Sequence, residues 1–172
     1  AWGMSWVDSD GGVHAYKMPG AITDHLEKLQ MAEDAVALIG HTRWATHGSF
    51  QDNANNHPHV LGNGFYVHNG VVHNYDRLAG TLELQTQCDS EVFGALATTR
   101  FRTLKTNTER LAAAAHLTDG QLALLGIWTP KRASKWMAEV AVVRRGKPLA
   151  VRAGSTGLWL SQTPELLRSR NW

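Results

Sequence analysis

"HNGVVHNY", residues 68–75, is the stretch on which the reading of this chain turns. Two β-branched valines lie between polar brackets, His68-Asn69-Gly70 before them and His73-Asn74 after. Asn-Gly is the strongest short hairpin signal, because both residues tolerate φ > 0. One reading is therefore a tight turn. In the other, a side-chain amide and a free backbone N–H point together at something negative. These eight residues leave both open.

Working outward, residues 41–75 hold six of the nine histidines: His41, His47, His57, His59, His68 and His73. No pair of them has the i,i+4 helical spacing of zinc ligands with a neighbouring acid, and the segment reads as strands and loops. No metal and no other cofactor is therefore expected, and His47, His57 and His59 are assigned to hydrogen bonding. A Ser–His–Asp triad lacks a glycine-flanked serine elbow. A pocket for a small zwitterion fits better. Arg43, at the end of an apolar run over 36–42, offers a fork for a carboxylate. Asp89, in "CDSEV" (88–92), can hold an ammonium or cap the helix that follows. Asn69 and Gly70 can donate a side-chain and a backbone N–H to a developing oxyanion. Together these residues suit an amino acid whose side-chain carbonyl is attacked.

With 172 residues, the chain is read as one domain, 1–172, long enough for a real core. Hydrophobic residues make up 43% and charged residues 19%, ordinary values for a globular chain. The longest apolar runs are too short to span a bilayer, and no signal segment opens the chain. The single cysteine, Cys88, excludes an internal disulfide and fits a reducing compartment, so a cytoplasmic location is expected. Residues 131–172 carry nine Lys or Arg against Glu139 and Glu165. Without aromatics interleaved at a motif spacing, this reads as a solvated basic face, and no nucleic-acid or membrane partner is expected. Of the seven tryptophans most should be core, while Trp2 and Trp172 at the ends suggest contacts.

Strand-like runs recur at 4–8, 12–17, 36–40, 64–69, 121–128, 137–144, 149–153 and 157–161. Turns at 8–12 and 145–148 predict antiparallel pairing between their flanks. Helical periodicity covers 21–32, 90–102 and 107–116. The fold class is α+β, with helices outside antiparallel sheets.

"GHTRWATHG" (40–48), "NNHPH" (55–59), "VHNGVVHNY" (67–75) and "CDSEV" (88–92) occur in the order and spacing of class II glutamine amidotransferase domains. The chain most resembles the glutaminase domain of hexosamine-phosphate synthases, members of the N-terminal-nucleophile hydrolase superfamily. "EVAVVRRGKPLAV" (139–151) and "LWLSQTPELL" (158–167) resemble that family's closing hairpin and last helix, and "WGMSWVDSDGGVHAYK" (2–17) its early strand pair. The resemblance implies a four-layer α/β/β/α sandwich that hydrolyses L-glutamine to glutamate and ammonia for a synthase partner on another chain. It assigns Arg43 to the substrate carboxylate, Asp89 to its ammonium, and Asn69 and Gly70 to the oxyanion hole. Trp44 through Gly48 match the loop that closes over glutamine, with Thr46 and His47 lining the pocket, and His57 matches a structural histidine. Ser49-Phe50 and Asn56 depart from the family pattern at the loop.

The larger departure concerns the nucleophile, which in the family is a cysteine at the mature N-terminus with its own amine as base. Here residue 1 is Ala1, and the family's first strand, which bears that cysteine, is missing from the 172 residues. The primary reading is a glutaminase completed by an upstream cysteine. The alternative is a catalytically silent relative, a structural or binding subunit of a larger assembly such as a viral particle or enzyme complex. The absent cysteine favours this alternative and the intact pocket motifs oppose it. A metal-dependent hydrolase built on the histidines is the remote third.

Overall fold

Side chains alternate in a strand, so Trp2–Asp8 (β1) turns Trp2, Met4 and Trp6 to one face and Gly3, Ser5 and Val7 to the other. In a computed structural model describing residues 1–44, 47–130, 137–154 and 157–163, β1 lies between two antiparallel neighbours, β2 (Val13–Met18) and β3 (Ala35–Thr42). The Asp8 carboxylate holds the β1–β2 turn by accepting from Asp10 N (2.9 Å) and Gly12 N (2.7 Å). That hairpin is the one expected from the sequence.

Trp2, Met4 and Trp6 pack with Tyr16, Met18, Ile22 and Ala32 on the outer face of this sheet. Trp2 is thus core, not a terminal contact residue; Trp172 lies outside the described residues. The covering segment corrects the helix expected over 21–32. It forms two short 3-10 pieces, Ile22–Asp24 and Leu26–Ala32, neither with a side-chain N-cap. Leu26, Leu29 and Met31 stay exposed, so no buried apolar stripe stabilises a regular α-helix there.

The second sheet has the order β4 (His59–Leu61), β5 (Gly64–Gly70), β6 (Leu122–Trp128), β7 (Glu139–Arg145), all antiparallel. Helices α1 (Tyr75–Ala79), α2 (Glu91–Thr98) and α3 (Asn107–Leu117) cover its outer side. Leu61, Tyr66, Leu124 and Trp128 meet Phe93, Leu96, Leu111 and Ala114 there. Three short elements, β4, α1 and a 3-10 turn at Asn53–Asn55, are not legible in the sequence because three to five residues are too few to show a period. α2 stops at Thr98, short of the expected 102, and α3 opens with a capping box between Thr106 and Glu109. Val7, Ile39, Val67 and Ile127 join the two sheets. The layers therefore run 3-10 cover, sheet, sheet, helices, an α+β sandwich of antiparallel sheets.

β8 (Ala150–Gly154) and β9 (Gly157–Ser161) form a separate hairpin. This corrects the turn at 145–148, which does not pair its flanks: β7 pairs with β6, and β8 with β9. The Arg145 guanidinium donates to Gly120 O (2.8 Å), Ala115 O (3.1 Å) and Thr118 O (2.7 Å), which fastens the end of β7 to the α3–β6 junction. The Asn69-Gly70 hairpin reading also fails. Both residues finish β5, in register with Ala123 and Leu122 of β6. Among the described residues no helix is long and apolar enough to cross a membrane.

Four histidines lie close together within this sandwich. His57, His59 and His68 are buried, and ring centroids stand 4.2 Å apart for His41–His57 and 4.8 Å for His57–His59. Burial disfavours the imidazolium, pulling His41 down to about 4, His59 and His68 to about 3, and His57 well below 6.5. The neighbouring Arg43 cation lowers His41, His57 and His59 further. Beside them Tyr66, fully buried, donates to Ser90 O (2.7 Å) and accepts from Gly94 N (3.0 Å), locking α2 onto β5.

Tyr66→Phe keeps the ring but strands the Gly94 N–H, so it should destabilise the fold by about 1–3 kcal/mol in urea melts; an unchanged midpoint contradicts the lock. The histidines predict the acid limb of stability. Their folded pKa values lie below the unfolded value, so unfolding takes up protons as pH falls below about 6.5. Stability is full above that pH and should drop by up to about 1.4 kcal/mol per pH unit for each ring that stays neutral. Melts in chelator at pH 7.5, 6.0 and 5.0 read this directly, and a flat profile contradicts neutral burial.

Candidate functional site

Strand β3 ends at Thr42, and the next residue, Arg43, turns into the interior with 8% of its surface exposed. A buried guanidinium needs acceptors, and the loop after it supplies them. Nη1 donates to Asn56 Oδ1 (3.2 Å), and Nη2 donates to the His47 carbonyl and to Gly48 O (3.4 Å). Cys88 Sγ lies 3.9 Å from Nη2. Gly48 takes φ +72°, and a Cβ there would meet the Asn55 side chain at 2.7 Å, so the carbonyls reach Arg43 only because residue 48 is glycine.

Asp89 is 2% exposed and does not cap α2, whose N-cap is Ser90 without a side-chain bond. The capping option is thereby corrected. Asp89 Oδ2 accepts instead from Val72 N (2.8 Å), inside "HNGVVHNY", and His47 Nδ1 approaches it to 3.8 Å. A carboxylate has about four acceptor positions, so one N–H does not exhaust it.

Arg43, Trp44, Asn69, Gly70 and Asp89 all line one cavity of about 850 Å3 that opens between the sheets and extends to Trp2, Met4 and Ile22 on the outer face of the first, within the usual range for ligand sites. The Asn69 amide donates to Gln162 Oε1 just past β9, and Gln162 lines the same cavity. Gly70 takes φ +151°, and a Cβ there would collide with the Gln121 carbonyl and approach His68 Nε2 at 2.7 Å. Trp44 is 93% exposed. His47 and Gly48 do not line the cavity; they serve it from behind through their carbonyls on Arg43. Thr46 lies outside the described residues.

Three features were missed from the sequence. Asn56, noted there only as a departure, both accepts from Arg43 and donates to Phe50 O (2.7 Å), closing the loop. Gln162 comes from a hairpin 93 residues beyond its partner, a distance no local pattern spans. The third is the pairing of His57 and His59 with Cys88. The sequence reading assigns these histidines to hydrogen bonding. Among the described residues, however, neither ring nitrogen of His57 nor Nε2 of His59 has a hydrogen-bond partner. Cys88 is itself buried, and burial pushes its thiol up, the wrong direction for a nucleophile.

No protein-family model matches the chain. Among curated proteins it is 33% identical over 162 residues to the glutamine–fructose-6-phosphate aminotransferase (isomerizing) of Corynebacterium diphtheriae, an alignment covering 86% of this chain and 24% of that protein. To the enzyme of the same name from Rhizobium meliloti it is 31% identical over 165 residues, 92% of this chain and 26% of the relative. The chain thus spans about a quarter of the length of these relatives. Among solved structures, glutamine phosphoribosylpyrophosphate amidotransferase from B. subtilis superposes with a TM-score of 0.71 at 22% identity, over 94% of this chain and 35% of that one. A glutamine aminotransferase class-II domain protein from Silicibacter pomeroyi gives 0.51 at 15% identity, over 93% and 89%. The two structural likenesses speak for the fold, and the sequence relatives speak for the family. This chain belongs with the class II glutamine amidotransferase domains of the N-terminal-nucleophile hydrolase fold.

Proposed function

We propose that the domain binds L-glutamine in the cavity between the sheets and hydrolyses its side-chain amide once a cysteine nucleophile is presented there. The observation that carries this reading is the convergence of Arg43, Asp89, Asn69 and Gly70 on one cavity. They come from the end of β3, the approach to α2 and the end of β5. Arg43 takes the α-carboxylate with the donors left over from its loop contacts, since a guanidinium carries five N–H groups. Asp89 takes the α-ammonium. Trp44 and Thr46 belong to the segment that closes over the substrate, and His47 and Gly48 brace the Arg43 clamp through their carbonyls.

The thiolate attacks the amide carbon, and the tetrahedral oxyanion receives the Gly70 N–H and the second N–H of the Asn69 amide. The C–N bond then breaks, the departing nitrogen takes a proton and leaves as ammonia. Water hydrolyses the resulting thioester to glutamate. Ammonia passes to a synthase partner; the curated relatives are named as aminotransferases acting on glutamine and fructose 6-phosphate. A cytoplasmic setting suits this chemistry. The entire 1–172 stretch serves as a single amidotransferase domain, and no cofactor takes part in this step.

A second reading is binding without turnover, as a structural or binding subunit of a larger assembly. It is favoured by the state of Cys88, the one cysteine in the 172 residues, whose buried thiol is held protonated.

Calorimetry on the 172-residue chain should detect L-glutamine, and Arg43→Ala should weaken binding by about 2–5 kcal/mol, the cost of stranding a charge partner. Equal affinity in a folded Arg43→Ala protein sinks the clamp. In a form that carries an N-terminal cysteine ahead of residue 1, an electrophilic glutamine analogue should label that cysteine once. Asn69→Ala should then lower kcat by ~10²–10³, as loss of one oxyanion donor does. Glutamine binding with no turnover in that form favours the silent subunit.

A further inference from the structure

We propose that His57, His59 and Cys88 form a binding site for a divalent transition-metal ion of the Zn2+ class, with a fourth position left for water. His57 and His59 flank Pro58 at the bend that leads into β4, and their rings meet edge to face with centroids 4.8 Å apart. Cys88 reaches them from the turn before α2. The candidate ligand atoms of the three lie within 4.8 Å of one another, and all three residues are buried. Bonds of about 2.0–2.3 Å place tetrahedral ligands roughly 3.4–3.8 Å apart, so side-chain shifts on the order of 1 Å close the site.

The second observation is the lack of partners. Both ring nitrogens of His57 and Nε2 of His59 are fully buried and make no hydrogen bond among the described residues. Buried polar groups are almost always satisfied, and a metal ion satisfies imidazole nitrogens where no protein donor or acceptor is at hand. The rings are held neutral by burial, the form that coordinates. Two imidazoles and a thiolate suit Zn2+, and three protein ligands with one open place is the pattern of solvent-accessible zinc sites. Burial keeps the free Cys88 thiol protonated, so the ion must displace that proton. Arg43 Nη2, 3.9 Å from Sγ, helps hold the thiolate so formed, while Asp89 Oδ1, 4.0 Å from the same sulfur, offsets the ion's positive charge. His57 and Cys88 also line the cavity wall. A bound ion would therefore tie β4 to the start of α2 directly behind Asp89. The inference stands independently of the glutamine reading.

The test uses the reduced, chelator-treated 172-residue chain. Zn2+ titrated by calorimetry should bind one ion per chain and raise the melting temperature. Co2+ in its place should give tetrahedral absorption with a thiolate-to-metal charge-transfer band. Cys88→Ser should abolish that band and weaken Zn2+ by more than ~10²-fold, beyond what loss of an outer-shell partner costs. His57→Gln and His59→Gln should weaken it comparably, while His14→Gln, whose ring is bonded to Asp8, should not. Absence of stoichiometric Zn2+ binding overturns the proposal, as does Zn2+ affinity unchanged by Cys88→Ser. Should the Cys88 variant fail to fold, the wild-type cobalt spectrum decides alone, since a spectrum without a thiolate band excludes the site.

Discussion

A single buried cation organises the region where the chemistry is concentrated. A guanidinium in the interior is costly unless acceptors surround it, and Arg43 obtains them from the backbone of the loop that follows. The loop must bend sharply to bring two successive carbonyls inward, which sets the left-handed conformation of Gly48. It is then pinned by Asn56 on Phe50 O and by Asn55, which accepts from Gln87 N at 2.8 Å. Gln87 precedes Cys88 and Asp89, so the loop that neutralises Arg43 also holds the start of α2.

The space between the sheets divides by chemistry. Around Val7, Ile39, Val67 and Ile127 the two sheets meet in apolar contact. Elsewhere they part into a cavity walled by Arg43, Asp89, Asn69 and buried imidazoles. The polar groups are positioned by rigid elements: Asn69 and Gly70 by the β5–β6 ladder, and Asp89 by its bond to Val72 N. Such placement suits a site that must hold donors ready for charge as it develops. The same low-dielectric setting keeps the histidines neutral and makes it significant that both ring nitrogens of His57 and Nε2 of His59 have no partner among the described residues.

Much of the architecture was legible because it rests on local periodicity. The long strands show as alternating or continuous apolar runs, and the runs read from the sequence fall within two residues of the limits of β1, β3, β5, β6 and β7. The errors share a cause. Residues 21–32 show a helical stripe, yet the fold leaves part of that stripe in solvent, and only 3-10 turns form. Asn-Gly reads as a turn wherever it is free to be one, but β6 pairs with both residues and extends them. Arg145 likewise ends a strand by reaching three carbonyls that only tertiary structure brings near it.

Within the candidate site, residue types and spacing alone selected Arg43, Asp89, Asn69 and Gly70, because a forked cation, a carboxylate and paired N–H donors have few common uses in one short segment. Family and fold class followed from the same four motifs. Contacts across the chain were beyond that reach. The Asn69–Gln162 pair, the Asp89 bond to Val72 N and the meeting of Cys88 with His57 and His59 join residues 93, 17 and about 30 positions apart. Chain order carries no information about such distances. They are set when the two sheets and α2 pack, which is when burial removes water and leaves each polar group to the partners the fold provides.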